Sequence, residues 1–134
     1  MPKFLLLKHY RGGPDQHVPF PPMDQWDPAD VEAHMAFLKN INEALQETGE
    51  LIDVAALTPE RTWVRYGGED AAPVTTDGPH PETSDLVAGW YMLDVESRER
   101  ALEIASWISS EPGPGGVPLH EWIDVREVMW SPMR

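Results

Sequence analysis

A run of ten residues, Leu86 to Val95, constrains this chain most: it reads Leu-Val-Ala-Gly-Trp-Tyr-Met-Leu-Asp-Val. A strand sends successive side chains to opposite faces. Here Trp90 and Met92 alternate with Tyr91 and Leu93, so both faces are apolar. Such a strand is expected to be covered on both sides. The chain has 134 residues, which suits one domain, since domains run to about 100–200 residues. A chain of that size buries about two-thirds of its unfolded surface. Residues 1–134 are therefore read as a single domain. Gly89 inside the run marks a bulge or a close backbone approach.

The other elements follow from pattern and punctuation. Residues 3–10 form a short apolar strand that ends at the turn cluster Arg11-Gly12-Gly13-Pro14. Residues 11–26 hold four Pro and two Gly and read as an ordered loop. It is either a pocket wall or a surface loop packed by Val18, Phe20, Met23 and Trp26. Asp27-Pro28 is an N-cap followed by Pro at the first helical position. The helix spans 28–48, with Val31, Met35, Leu38, Ile41, Asn42 and Leu45 on one face and Gly49 as its stop. Strands follow at 51–57, 62–66 and, weakly, 73–75, and Asp77-Gly78-Pro79 is turn chemistry. Ser97 caps a second helix over 98–109, which Pro112-Gly113-Pro114-Gly115-Gly116 ends as a flexible or turning loop. Residues 122–129 make a last strand. The order is βαββαβ with an added hairpin, the ferredoxin-like split βαβ. It predicts an α+β fold, an antiparallel sheet with both helices on one face. The open face then needs a cover, and a second subunit supplies it, so a homodimer is expected.

Composition excludes several functions. Lys and Arg number 10 against 23 Asp and Glu, a net charge of −13. Nucleic acid and anionic membranes need a positive footprint, so neither is an expected partner. There is no Cys, hence no disulfide, thiolate metal site or Cys nucleophile. The start, Met1 to Lys8, lacks the apolar length of a signal peptide or a spanning helix. The expectation is a soluble cytoplasmic protein. His9, His17, His34, His80 and His120 show no metal-ligand spacing, and no nucleotide or Ser-hydrolase motif occurs. No metal and no cofactor are expected.

Three stretches carry a family resemblance. They are Ala33 to Leu38 running on to Gly49-Glu50-Leu51, then Val74 to Thr83 followed by Gly89 to Asp94, then Val125 to Met129. In this order they resemble the YciI-related family, in its DGPF-motif branch. Of the branch signature Asp-Gly-Pro-Phe-x-Glu-Thr-Lys-Glu, the chain keeps Asp77, Gly78, Pro79, Glu82 and Thr83. His80 replaces the Phe, Ser84 the Lys and Asp85 the Glu. The resemblance implies a dimeric α+β barrel of ferredoxin-like type with a pocket centred on a His and an Asp. One branch of the family includes a dehydrochlorinase acting on a chlorinated hydroxyquinol. The DGPF branch is associated with extracytoplasmic-function sigma factors, which implies regulation as a second role.

His34 matches the family His. It is either a proton carrier at a pocket rim or a core His bonded to backbone; an imidazole with an unperturbed pKa of about 6.5 suits proton transfer. Asp77 either orients His34 or caps its own turn. Arg126 is either an anion binder or half of a cross-strand ion pair, and Arg65 has the same two readings. His80 lines a pocket mouth or is simply exposed. Glu82 and Thr83 read as a cap, and Trp63, Trp90 and Trp122 as core or dimer interface. Together they predict a small cofactor-independent enzyme of lyase or isomerase type. His34 and Asp77 are its acid–base pair, and Arg126, His80 and Arg65 bind a small substrate, which the resemblance implies to be aromatic or phenolic. The alternative is a non-catalytic ligand-binding or regulatory module with a protein partner, linked to sigma-factor regulation.

Overall fold

The computed structural model describes residues 1–11, 13–14, 20–77 and 86–133. Six strands are seen among them: β1 (Lys3–Arg11), β2 (Leu51–Ala56), β3 (Thr62–Arg65), β4 (Val74–Asp77), β5 (Leu86–Asp94) and β6 (Asp124–Glu127). The two α-helices are α1 (Pro28–Thr48) and α2 (Arg98–Ser109). The main sheet has the order β2-β5-β1-β6, and every pair in it is antiparallel. Without the β3–β4 hairpin this is the α+β ferredoxin-like arrangement that the chain order predicts. The hairpin stands as a separate two-stranded sheet, exposed along both strands.

Local chemistry sets the boundaries. The Asp27 carboxylate accepts from the Ala29 N–H at 3.0 Å, and Ser97 Oγ accepts from the Arg100 N–H at 3.1 Å. Each satisfies a donor that a helix start leaves orphaned. Gly49 ends α1 at φ +81°, a left-handed conformation that glycine adopts without steric cost. Gly89 marks both a bulge and a close approach. The β1–β5 register shifts beside it, and a Cβ there would stand 2.4 Å from the Ala55 carbonyl oxygen.

The core lies between the helices and one sheet face. Phe4 and Leu6 of β1 meet Tyr91 and Leu93 of β5, under Ile41 and Leu45 of α1 and Ile104 and Ile108 of α2. The strand residues obey the period of two. Those out of phase, Leu5, Leu7, Trp90 and Met92, lie half-buried on the opposite face, with Leu5 across from Met92 and Leu7 across from Trp90. At the far end Arg100 grips Glu50 with two nitrogens, at 2.8 and 2.9 Å. This fork holds the Glu50 carboxyl below its ordinary value.

Two expectations are corrected. The buried stripe of α1 runs through His34, Ile41 and Leu45, whereas Met35 is exposed. The helix is thus rotated from the face read in the sequence. Trp63 and Trp122 are about half exposed and lie outside the core. Asp77 is the last residue of β4, paired with Thr62, and the rest of the Asp77-Gly78-Pro79 turn lies outside the described residues. Residues 78–85, with His80, Glu82 and Thr83, lie outside the described residues. Of 11–26, residues 12 and 15–19, with Val18, lie outside the described residues; Phe20 and Trp26 are half-buried and Met23 is exposed. Among the described residues no helix is long and apolar enough to cross a membrane.

Candidate functional site

Lys8 stands in the same phase of β1 as Phe4 and Leu6, so its stem runs toward the helix side of the sheet. A lone ammonium there would be costly. It is met by Glu111, whose side chain is fully buried: Lys8 Nζ lies 2.9 Å from Glu111 Oε2. The same ammonium lies 3.9 Å from Glu121 Oε2.

The segment after α2 brings the two carboxylates together. His120 N–H donates to the Ser109 carbonyl at 3.1 Å, Leu119 N–H to that of Glu111 at 2.9 Å, and Gly113 N–H to that of Val117 at 2.7 Å. Ser109 Oγ donates to the Glu121 carbonyl at 2.6 Å. At the tip, Gly115 N–H donates to Asp30 of α1 at 3.1 Å. The Pro-Gly segment is therefore a folded-back loop pinned to both helices. His120, just before Glu121, sits at φ +54°, a strained conformation for a residue with a Cβ.

His34 faces this loop from α1. Its Nδ1 lies 2.9 Å from the Pro112 carbonyl oxygen. A carbonyl only accepts, so Nδ1 carries the hydrogen and donates it. In the neutral ring, the nitrogen with a free lone pair is then Nε2. It sits 3.9 Å from Glu111 Oε2. Trp26 meets the ring edge-on, with centroids 5.4 Å apart.

Side-chain exposure rises from 0% at Glu111 through 5% at His34 and 16% at Lys8 to 30% at Glu121. Burial first, then the Glu111 charge, push the Glu121 carboxyl up to about 8, against the opposing pull of Lys8. The core phenol of Tyr91 is pushed up to about 12 by burial and by the same Glu111 charge. This arrangement can hold a proton and move it between a nitrogen base and carboxylates. Among the described residues no three His, Asp or Glu side chains converge as a metal site.

The structure places the other sequence candidates elsewhere. Asp77 is exposed on the hairpin, where its Oδ1 accepts from Thr62 Oγ1 at 2.9 Å. Among the described residues, no contact joins it to His34. Arg65 is exposed on the same hairpin, across from Val74. Arg126 is exposed on β6 across from Leu5, on the sheet face opposite Lys8. A cavity of about 240 Å³ lies at the far end of β2, lined by Leu57, Thr58, Glu60, Arg61, Leu86 and Val87, with none of the Lys8 cluster in its wall. Sequence reasoning missed Lys8, Glu111 and Glu121. Only Lys8 left a signal, a charge in the inward phase of an apolar strand.

The YCII-related domain matches residues 13–110. The chain belongs to the YCII-related family. An uncharacterized protein of Rhizobium meliloti (strain 1021) is 28% identical over 85 residues, 63% of this chain and 68% of that protein. The match is to the YCII-related family as a whole and does not single out the DGPF branch. Its span holds Trp26, His34 and Tyr91, whereas Lys8, Glu111 and Glu121 fall outside it.

Proposed function

We propose that this YCII-related domain is a small acid–base enzyme in which Nε2 of His34 takes a proton from a small substrate and returns it. The observation that carries this reading is the fixing of the ring between Pro112 and the Glu111–Lys8 pair. The Pro112 carbonyl holds the Nδ1–H tautomer, which leaves Nε2 as the base. When Nε2 is protonated, the nearby Glu111 carboxylate stabilises the imidazolium, and the gap of 3.9 Å closes as charge develops. Lys8 holds the Glu111 side chain in place through the contact at 2.9 Å. Burial strengthens each of these charge interactions relative to water. Glu111 thereby takes the orienting role that the sequence offers to Asp77. Proton abstraction and return, with no other group required, suit lyase or isomerase chemistry on an enolic or phenolic substrate. The same proposal takes the protein as a homodimer closed over the Leu5, Leu7, Trp90 and Met92 face.

The test is exchange of carbon-bound hydrogen in D2O, followed by NMR, over a panel of chlorinated phenols and small enol acids. Wild-type protein is expected to label at least one of them. His34→Gln should lower that rate by about 100-fold or more, the usual contribution of a positioned base. Binding without exchange, or exchange indifferent to His34→Gln, would overturn the reading in favour of a ligand-binding module.

A further inference from the structure

Charge accounting in the Lys8 cluster points beyond His34. One ammonium faces two carboxylates, Glu111 at 2.9 Å and Glu121 at 3.9 Å. It neutralises one of them. The second carboxylate would leave a net negative charge in a largely buried site, which is expensive unless a proton compensates it. The hydrogen bonds tell the same story. Glu111 Oε2 is bonded by Lys8, but Oε1 is buried and has no donor. The neighbouring group within reach of Glu111 is the Glu121 carboxyl, which in its protonated form is a donor. A proton on Glu121 gives the Glu111 carboxylate a second donor and removes the excess charge together.

We propose that Glu111 and Glu121 share one proton, and that Glu121 relays protons between solvent and Nε2 of His34. The relay rests on the reading of His34 as the base. Glu121, the most exposed of the four, takes a proton from water on one carboxyl oxygen. It passes that proton to Glu111, and the Glu111 carboxyl hands the same proton on to Nε2 and returns to the carboxylate, leaving an imidazolium beside it. In the reverse direction the imidazolium returns its proton to Glu111 and the pair releases one to solvent. The groups facing the pair are Lys8 from β1, His34 from α1 and Tyr91 from β5. Lys8 is the cation that lets one carboxylate stay ionised, and Tyr91 stays neutral across the working range. Glu121 is thus a proton-relay residue, and it is the member of the cluster with the most contact with solvent.

The experiment uses the full chain with ¹³C-labelled Glu side chains, titrated by NMR from about pH 4 to about pH 10. One carboxyl carbon should titrate near pH 8, with a smaller coupled response at a second carbon at the same midpoint. Glu121→Gln should abolish that step, and Glu111→Gln should lower its midpoint. Proton exchange at His34 Nε2, read from ¹⁵N line shapes, should slow by about ten-fold or more in Glu121→Gln. All Glu carboxyls titrating in the ordinary range near 4.3 would sink the shared proton. Unchanged exchange in Glu121→Gln would sink the relay. The wild-type titration needs no variant, so it decides the first point even where a substitution prevents folding. His34→Gln separates the two readings. If His34 is not the base, substrate exchange is unchanged in His34→Gln, while the step near pH 8 survives as long as the shared proton is real.

Discussion

Replacing Lys8 by Met keeps most of the aliphatic stem and removes only the ammonium. Glu111, with no exposed side-chain surface, then loses the cation 2.9 Å from Oε2. Removing one partner of a buried pair leaves an uncompensated charge and costs about 3–5 kcal/mol. Domains are stable by only about 5–15 kcal/mol, so the variant should fold marginally. For a chain of this length each kcal/mol moves the midpoint by about 3–4 °C, which gives a fall of about 10–20 °C. Urea unfolding at neutral pH measures the free energy, and a thermal scan measures the midpoint. A second substitution makes the cause visible. With Glu111→Leu added, the stranded charge disappears, and replacement of both partners by apolar groups is often neutral or stabilising. The double variant should therefore be more stable than Lys8→Met alone. High salt should change neither result much, since buried pairs are weakly screened. A cost below about 1 kcal/mol for Lys8→Met, the range of exposed pairs, would refute the reasoning. So would a double variant no better than the single.

Glu121 makes stability pH-dependent in a direction opposite to ordinary carboxylates. Its folded value of about 8 lies above the unfolded value of 4.5, so the folded state holds a proton that the unfolded state has lost between those limits. Stability should fall as pH rises through that window, by about 2–3 kcal/mol once solvent screening of the partly exposed group is allowed for. Glu121→Gln should flatten the profile in urea titrations at a series of pH values, and an unchanged slope would count against the assignment. Trp90→Asp places a charge at the centre of the open sheet face and should convert a dimer of about twice 15.1 kDa into monomer in sedimentation velocity; a wild-type monomer at micromolar concentration would remove the argument. Gly89→Ala should cost several kcal/mol or prevent folding, because its Cβ meets the Ala55 carbonyl oxygen at 2.4 Å and only backbone movement relieves it. A thermal midpoint within a few degrees of wild type would show that β2 and β5 separate easily.

The fold was legible because its determinants are local and repeated. Leu86 to Val95 announces a central strand through its apolar content on both faces, and β5 occupies that place between β2 and β1. Asp27-Pro28, Gly49 and Ser97 mark helix ends through backbone chemistry that needs no tertiary partner. The rotation of α1 was not legible. Met35 is as apolar as any residue on the stripe read in the sequence, yet it is exposed, and polar His34 is buried in its stead. A periodicity of 3.6 fixes a face only to within about one residue, and here the burial of His34 depends on a carbonyl 78 residues away.

The site hid for the same physical reason, carried further. Its acidic groups sit ten residues apart on a stretch whose Pro and Gly content signals a turn and says nothing of what the turn holds. That stretch becomes a scaffold only through long-range bonds, such as Gly115 to Asp30, across 85 positions, and Lys8 to Glu111, across 103. Global charge misleads as well. At −13 the chain has acid to spare, so two more glutamates carry no information. What does carry information is the scarce sign in the wrong place. Lys8 is a cation where the alternation of Phe4 and Leu6 calls for a third apolar residue, and a buried cation must have a buried anion within reach. From Lys8 alone one could have required a buried carboxylate on the helix side of the sheet. Because His34 already stood on the helix packed against that side, the acid–base centre would have been sought there and not at the exposed Asp77.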